Sequence, residues 1–338
     1  MQTDVIPSTT TPLLVTWPRT SPLASFGEKA GPAPALAAWI RVHLTYWWRH
    51  RRRLSIDRPR RFTEFVQRRK LIDHDPRIPL MIDKVGVKPF VANVLGADWV
   101  TPTLWSSEIL PGQLPFPAPF VVKSRHGCNQ CRIVRDTSDD WNAVRSAAAA
   151  WMRRPYGLWL DEWGYRDVPR GVLIEPFVGE GPALPIDYKL YVFHGRVEAI
   201  QVHVDRETCH RWVIFDRDWR GMSTSADRLD VRPPISLPLM IEGAEALGRG
   251  FEFVRVDFYD TGVIPRFGEM TFYPGSGLDP FDPPRLDELL GKHWNRISVD
   301  QYLLAELAKR PNCRRSRAPS NFPTSDIHSS PHNDALAF

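Results

Sequence analysis

Residues 253–272, FVRVDFYDTGVIPRFGEMTF, limit the fold of this chain more than any other stretch, because they predict a β-hairpin with an acidic face. Side chains alternate between two faces along a strand, so Arg255 and Asp257 share one face of the first strand. The same alternation puts Phe267 and Glu269 together in the second strand. A buried acidic side chain is costly unless another group pairs with it. The function depends on what that group is.

If the turn centres on the DTG sequence, Asp257 and Glu269 lie almost opposite each other on one face, with Cβ atoms about 5 Å apart. Two carboxylates that close require protonation of one of them or a cation between them. Oxygen ligands with an open solvent side suit Mg²⁺, which proteins usually hold by one or two carboxylates plus substrate phosphates. The alternative is a solvated strand face on which Arg255 pairs with an acid.

The net charge of +5 is concentrated in one segment of this 338-residue chain. Residues 49–70 hold ten arginine or lysine residues, and the remainder is close to neutral. This pattern favours a local basic surface and argues against a nucleic-acid binder that is basic throughout. The length allows one large domain or two ordinary ones.

The four cysteines do not form a secreted disulfide framework. No signal peptide is recognisable, and no run reaches the ~20 apolar residues of a membrane-spanning helix. We therefore expect a cytoplasmic protein, with a peripheral position at the inner face of the membrane as the alternative. That alternative comes from residues 35–53, where apolar residues recur at helical spacing before an arginine cluster. Such a helix either packs on the domain or rests on anionic lipid.

Strand-like runs alternate with helical ones along the rest of the chain. Hairpins are expected at 120–136 and 187–205, strands at 171–178 and 211–216, and helices within 58–96, at 139–152 and at 237–250. Hairpins mixed with helices indicate an α+β (mixed α/β) fold with two lobes, joined near residues 175–187.

Two strand lysines could meet phosphates. Lys123 closes the strand FVVK before a turn, and Lys189 shares a strand face with Asp187 in DYKLYVFHG. Glu175 lies between apolar residues before Pro176, which suits a junction between lobes where backbone groups face an adenine.

The order of these pieces resembles the ATP-grasp superfamily, and within it the TupA-like (teichuronopeptide-biosynthesis-type) family, over roughly residues 56–295. Each motif is weak alone, but their order is specific. The motifs are DRPRRFTEF, KLIDHDPRIPLMIDK, FVVKSRHG, IEPFV, DYKLYVFHG, EAIQVHVDR, FVRVDFYD and FGEMTFYPGSG.

The resemblance implies an ATP-grasp fold whose two α+β lobes clamp ATP, preceded by a smaller helical N-terminal region. Lys123 would contact the phosphates from the first lobe. Glu175, Phe177 and Val178 would form the hinge on the adenine side. The resemblance also implies that Lys84 lies near the nucleotide, but the sequence does not indicate what its side chain does there.

In the second lobe, the resemblance implies that Lys189 faces the phosphates and that Asp257 and Glu269 hold Mg²⁺. Arg255 would lie near the γ-phosphate or the acyl-phosphate, so that Arg255 and Lys189 are the catalytic candidates. The PGSG sequence (274–277) would shape a loop close to the acceptor.

The corresponding domain boundaries are a flexible leader at 1–34, a basic amphipathic helix at 35–55 and an N-terminal lobe at 56–115. The first ATP-grasp lobe would span 116–180 and the second, with the metal site, 181–300. Residues 301–338 are expected to be a disordered tail.

The segment HGCNQCR (126–132) departs from the family pattern, which commonly has a glycine-rich loop there. Only Gly127 remains, so the mobility of a flap over the phosphates is in question. Cys128, Cys131 and His126 could instead begin a zinc site, with Cys209 and His210 as distant partners. A thiol loop without metal is the simpler expectation.

The function implied is an ATP- and Mg²⁺-dependent carboxylate–amine ligase of cell-envelope polysaccharide biosynthesis. Its partners would be an anionic carboxylated saccharide, or its precursor, and the amine of an amino acid or peptide. The alternatives are a sugar or polysaccharide kinase, a nucleotide-binding scaffold without turnover, and an envelope glycosyltransferase.

Overall fold

The computed structural model describes residues 36–179, 184–204, 210–226, 229 and 231–296. The predicted leader and tail, and Cys209, lie outside these residues, and the predicted domain boundaries stay predictions. The described part contains seven α-helices: α1 Leu36–His50, α2 Phe62–Leu71, α3 Ile78–Ile82, α4 Lys88–Leu95, α5 Trp141–Arg153, α6 Leu237–Gly248 and α7 Arg285–Trp294.

Nine strands form two antiparallel sheets in the described part of the chain. The strands are β1 Trp105–Ser107, β2 Phe120–Ser124, β3 Cys131–Val134, β4 Val172–Pro176, β5 Asp187–Phe193, β6 Arg196–Val204, β7 Arg211–Phe215, β8 Phe253–Tyr259 and β9 Arg266–Thr271. The first sheet has the order β1-β4-β2-β3 and the second has the order β7-β6-β5-β8-β9. The predicted α+β fold and its helical N-terminal region are thus confirmed.

Local sequence sets several helix ends. The side chain of Asp140 accepts hydrogen bonds from the backbone N–H groups of Asn142 (2.9 Å) and Ala143 (3.1 Å), which begins α5. Helix α4 ends at Gly96, whose φ of +105° is accessible to glycine and strained for other residues. Strand β1 was not predicted, because three exposed residues carry no alternating pattern.

The predicted alternation in β9 is wrong at Phe267. Asp257 is paired with Glu269, but Phe258 is paired with Phe267, so a β-bulge at Gly268 shifts the register by one residue. Phe267 consequently packs with Phe258 in the core rather than sharing the face of Glu269. A side chain at Gly268 would lie 3.1 Å from the Asp257 carbonyl oxygen, which favours glycine there.

The second sheet is covered differently on its two faces. Helix α6 packs closely on the apolar face, where Gly248 leaves room for Val192. On the other face, Phe253 and Phe193 pack against Phe62 of α2 and Trp294 of α7. This aromatic cluster closes one end of that face and leaves the other end to charged side chains.

Part of the predicted basic surface is internal. Arg69 and Lys70 are 4% and 5% exposed. Arg69 stacks 4.6 Å from the Trp294 ring and donates to the Phe253 and Phe272 carbonyl oxygens at 3.0 and 3.3 Å. Guanidinium groups are suited to such combined stacking and donation. The surface is therefore smaller than the sequence indicates.

The predicted helix at residues 35–53 is confirmed as α1, and one of its faces packs on the domain. Val42 and Tyr46 are buried, and Tyr46 Oη lies 3.2 Å from Thr63 Oγ1 of α2. Arg41 Nε donates to Asp161 Oδ2 at 2.9 Å. No described helix is both long enough and apolar enough to span a bilayer.

Asp287 joins three elements through its buried carboxylate. It accepts hydrogen bonds from Thr63 N (2.9 Å), Thr63 Oγ1 (2.8 Å) and Arg52 Nη2 (2.5 Å). Its neighbour Glu288 pairs with Arg61 from a side chain that is 51% exposed. The two adjacent acids of α7 thus differ in burial and in the number of bonds they accept.

We predict that Asp287→Ala lowers the free energy of unfolding by about 3 kcal/mol, because it leaves a buried donor and a cation unpaired. Glu288→Ala should change it by less than about 1 kcal/mol, since exposed ion pairs contribute little. Urea denaturation of both variants measures the difference. Equal losses would contradict the role assigned to Asp287.

Candidate active site

The charged end of the second sheet has a buried lysine between two carboxylates. Lys189 Nζ lies 2.6 Å from Asp187 Oδ2 and 2.6 Å from Asp257 Oδ2. The register explains this contact, because Lys189 is paired with Asp257 across β5 and β8. Burial alone would lower the pKa of Lys189, but the two carboxylates raise it above its ordinary value. Lys189 is therefore charged at neutral pH.

Arg255 binds the same carboxylate from the other side. Its Nε and Nη2 atoms each lie 2.7 Å from Asp257, and Nη2 also lies 3.2 Å from Glu269 Oε1 and 3.1 Å from Thr271 Oγ1. Burial opposes the charge, yet Asp257 raises the pKa of Arg255 above its ordinary value. The predicted pairing of Asp257 with Glu269 is confirmed. Arg255 and Lys189 are the groups that balance the acidic face.

The first sheet carries a second ion cluster. Lys123 Nζ lies 2.7 Å from Glu175 Oε2, and Lys88 Nζ lies 2.5 Å from Glu175 Oε1. Burial alone would raise the pKa of Glu175, but the two lysines lower it below its ordinary value. The Glu175 side chain thus faces the phosphate-binding candidate Lys123 from the neighbouring strand.

Lys88 was missed by sequence reasoning. It begins α4, where a lysine is usually a solvated residue, and its position near a helix N-terminus is electrostatically unfavourable. Here its Nζ also donates to the Thr101 carbonyl oxygen (2.8 Å) and to Thr103 Oγ1 (2.6 Å). A cation at a helix N-terminus, where the helix dipole disfavours it, was the only feature of the sequence that could have marked Lys88 as a paired residue.

Lys84 fixes the turn that follows β2. Its Nζ lies 2.5 Å from the Gly127 carbonyl oxygen, while Arg125 forms two bonds with Asp83 at 2.5 and 2.6 Å. His126 is buried, so the glycine-poor loop is tied down at several points. Lys84 thus contacts the loop that is expected to cover phosphates.

The two remaining hinge candidates lie at the end of β4. Phe177 donates its backbone N–H to the Pro119 carbonyl oxygen at 3.4 Å, and its ring lies 5.9 Å from the Arg135 guanidinium. Val178 follows it, half-buried and outside the strand. Both residues lie between β4 and β5 in the sequence.

No three His, Cys, Asp or Glu residues of the described part form a group that could hold a metal ion. Cys128 Sγ lies 2.9 Å from Tyr165 Oη, and burial raises the pKa of its thiol. Cys131 is exposed.

The PGSG loop is held by α2. Lys70 Nζ donates to both the carbonyl oxygen and Oγ of Ser276 at 2.7 Å, and Gln67 Nε2 donates to the carbonyl oxygens of Ser276 and Gly277. Burial lowers the pKa of Lys70 to about 8 and raises the pKa of Glu162 beside it to about 7. These bonds fix the loop beside a cavity that Arg255 also lines.

A cavity of about 390 Å³ adjoins Arg255. The PGSG loop forms one wall, and Arg49 of α1 lines another. Its remaining lining is mainly aromatic or polar and includes Tyr191, Gln201, His203, His210, Trp212, Asp279 and Phe281.

The two ion clusters differ in composition. Lys88 and Lys123 surround the single carboxylate of Glu175. On the second sheet, Lys189 and Arg255 bond to the carboxylates of Asp187, Asp257 and Glu269. Burial alone would lower the pKa of Lys123, but Glu175 and, to a smaller extent, Tyr259 at the end of β8 raise it.

The carboxylates fit a magnesium ion. Asp257 and Glu269 offer hard oxygen ligands from paired positions, and Glu269 is only half-buried, which leaves room for water or phosphate ligands. The donor set of this cluster is therefore suited to a hard divalent cation.

The sequence matches the model of the TupA-like ATP-grasp family over residues 64–295, more than half of the chain. The chain belongs to the TupA-like ATP-grasp family. The family match confirms the resemblance drawn from the motifs, and the observed two-sheet architecture agrees with the predicted ATP-grasp fold. Helix α1 lies outside the matched residues.

Several solved ligases are similar to this family member. D-alanine–D-alanine ligase from Bacillus anthracis has 15% identity and a TM-score of 0.36, with 67% of each chain covered. The ATP-grasp ligase PsnB with its minimal precursor has 14% identity and a TM-score of 0.33, covering 64% of this chain and 62% of PsnB. D-cycloserine synthetase DcsG has 17% identity and a TM-score of 0.33, covering 69% and 78%.

The chain spans about half, 54%, of the Bacillus anthracis ligase in its ATP complex. No curated protein matches the sequence.

We predict that Glu175→Gln lowers the free energy of unfolding by about 3 kcal/mol at pH 7, because it removes the anion between two lysines. The folded-state pKa of Glu175 is depressed, so its contribution is present above the unfolded-state pKa and is lost as the pH falls through the folded value. The difference from wild type should therefore shrink below about pH 4.3.

Denaturation of wild type and Glu175→Gln over a pH series measures this change. Glu108→Gln, at an exposed position, is the matched control and should match wild type throughout. A difference for Glu175→Gln that does not depend on pH would show that the carboxylate charge contributes nothing.

Proposed function

We propose that this protein is an ATP- and Mg²⁺-dependent carboxylate–amine ligase. The observation that carries the proposal is the pair of buried ion clusters, one rich in lysine and the other rich in carboxylates. The cluster of Lys88, Lys123 and Glu175 suits the phosphates of a nucleotide. The cluster around Asp257 and Glu269 suits the divalent cation that accompanies them.

The proposed reaction has two steps. A substrate carboxylate oxygen attacks the γ-phosphorus of ATP, which forms an acyl-phosphate and releases ADP. An amine then attacks the acyl carbon, the C–O bond to phosphate breaks, and the products are an amide, inorganic phosphate and the proton lost from the amine. Neither step needs a protein nucleophile.

The residues of the site would act by charge and position. Lys123 and Lys88 would hold the phosphates from the first sheet. Lys189 and Arg255 would offset the negative charge that spreads over the transferring phosphoryl group. Both groups are held by carboxylates, so they point at the site before a substrate binds.

Asp257 and Glu269 would hold Mg²⁺. When bound, the ion would neutralise phosphate charge and polarise the phosphoryl oxygens. Arg255 bonds to both carboxylates and would share them with the ion.

The proposed substrates are a carboxylated saccharide, or its precursor, and the amine of an amino acid or peptide, in cell-envelope polysaccharide synthesis. The cavity beside Arg255 supports this class, since Trp212 offers a ring for a sugar and Gln201 offers a polar amide. Arg49 adds a cation suited to an anionic sugar. The family likeness supplies the link to the envelope.

We expect Mg²⁺ to tighten ADP binding in wild type, and this gain to be lost in the isosteric double variant Asp257→Asn/Glu269→Gln. Lys123→Met should weaken ADP binding about tenfold with or without Mg²⁺, because it removes a phosphate contact. Calorimetric titration with ADP measures both effects, and Glu252→Gln, an exposed acid before β8, is the control.

An unchanged Mg²⁺ effect in the double variant would refute the metal assignment alone. If ADP does not bind wild type at all, the nucleotide clamp is inactive and the ligase proposal fails.

Incubation with ATP, Mg²⁺, glucuronate oligosaccharides and mixed amino acids should yield ADP, free phosphate and an amide-linked product. Glucose oligosaccharides of equal length, which lack the carboxylate, should yield none. Arg49→Gln should lower kcat/KM for the glucuronate substrate about tenfold, since it removes a charged contact. Mass spectrometry and phosphate assay measure the outcome.

Phosphate attached to the saccharide would identify a kinase instead. ADP binding without any turnover would favour a nucleotide-binding scaffold.

A further inference from the structure

The outer face of α1 is apolar and exposed. Seen from solvent, it presents large hydrophobic side chains that are between 44% and 72% exposed: Leu36, Trp39, Ile40, Leu44, Trp47 and Trp48. These residues recur every three or four positions, so they form one continuous stripe about 18 Å long. Contiguous apolar surface of this kind marks an interaction site.

The opposite face of α1 is fixed to the domain. Val42 and Tyr46 are buried against α2, and Arg49 and His50 bond to the carbonyl oxygens of Leu278 (2.9 Å) and Gly277 (3.0 Å). Arg41 bonds to Asp161 on a distant segment. Turning the apolar stripe inward would break all these contacts, so the stripe is held toward the outside.

Arginines border the stripe at its C-terminal end. Arg53 lines the same groove as Trp39 and Trp47, and the Arg51 guanidinium lies 5.8 Å from the Trp47 ring. Both side chains are exposed, and within the described part of the chain neither has a carboxylate within ion-pair distance. Asp57 also lines the groove, so the positive charge is concentrated on the arginine side.

We propose that α1 docks this protein on an anionic lipid surface. Tryptophan rings suit the boundary between headgroups and acyl chains, and arginines beside them attract anionic headgroups. Charge favours lipid as the occupant, because a purely apolar partner gives no role to Arg51 and Arg53, which have no carboxylate within ion-pair distance in the described part of the chain. This inference is independent of the proposed function.

The test is co-sedimentation of the full chain with vesicles of phosphatidylcholine, alone or mixed with phosphatidylglycerol. We expect binding to the mixed vesicles, which weakens with added salt, and little binding to phosphatidylcholine alone. Arg51→Glu/Arg53→Glu should lower the partition coefficient more than tenfold, since each arginine near an anionic surface contributes about fivefold.

Trp47→Ala/Trp48→Ala should lower it about tenfold through lost apolar contact. These side chains are exposed, so unchanged urea denaturation confirms that the variants are folded. The matched controls lie elsewhere on the surface: Trp159→Ala, at 67% exposure, and Arg153→Glu/Arg154→Glu, at two exposed positions. Both should bind as wild type does.

Several results would overturn the proposal. One is that the wild type fails to sediment with the mixed vesicles, and another is that the control variants lose as much binding as the α1 variants. A third is a full chain that does not bind vesicles but forms a dimer that Trp47→Ala/Trp48→Ala dissociates. That result would assign the stripe to a second copy.

Discussion

The ion network on β5 and β8 is the constraint on which the rest of the second sheet depends. Asp257 is 2% exposed in the middle of an antiparallel sheet, where an unpaired carboxylate would be very costly. Lys189 on the neighbouring strand and Arg255 on the same strand balance it from two sides. Because strand register fixes Lys189 opposite Asp257, a shift of β5 by one residue would turn Lys189 to the other face and leave Asp257 with Arg255 alone.

The sheet face that carries Asp257 has an aromatic end and a charged end. Aromatic side chains from α2 and α7 close one end, and the charged side chains occupy the other. Helix α2 also carries the anchors of the PGSG loop, namely Gln67 and Lys70. This one helix therefore contributes to both the core and the cavity wall. A core substitution in α2 would change the cavity by displacing this loop.

Much of this arrangement follows from sequence, because strand alternation is a local rule. It places Asp257 opposite Glu269 and puts Lys189 on the face of Asp187, and the motif order identifies the family. Three features needed the structure. The bulge at Gly268 depends on a close backbone contact with Asp257, and the pairing of Lys88 with Glu175 joins residues far apart in sequence. The burial of Arg69 depends on the carbonyl groups of Phe253 in β8 and of Phe272 just after β9. Alternation and local composition carry no information about such contacts.

The position of Glu175 between two lysines has a consequence for the entropy of binding. A free lysine side chain gives up as much as about 2 kcal/mol of rotamer freedom when it is immobilised. Here Lys88 and Lys123 have already lost much of it in the folded protein, because Glu175 bonds to both and Thr101 and Thr103 also bond to Lys88. An anion that enters beside them meets ammonium groups that are already oriented. The entropy of ordering these two side chains is therefore lost on folding, and the proposed anionic ligand would not have to order them when it binds.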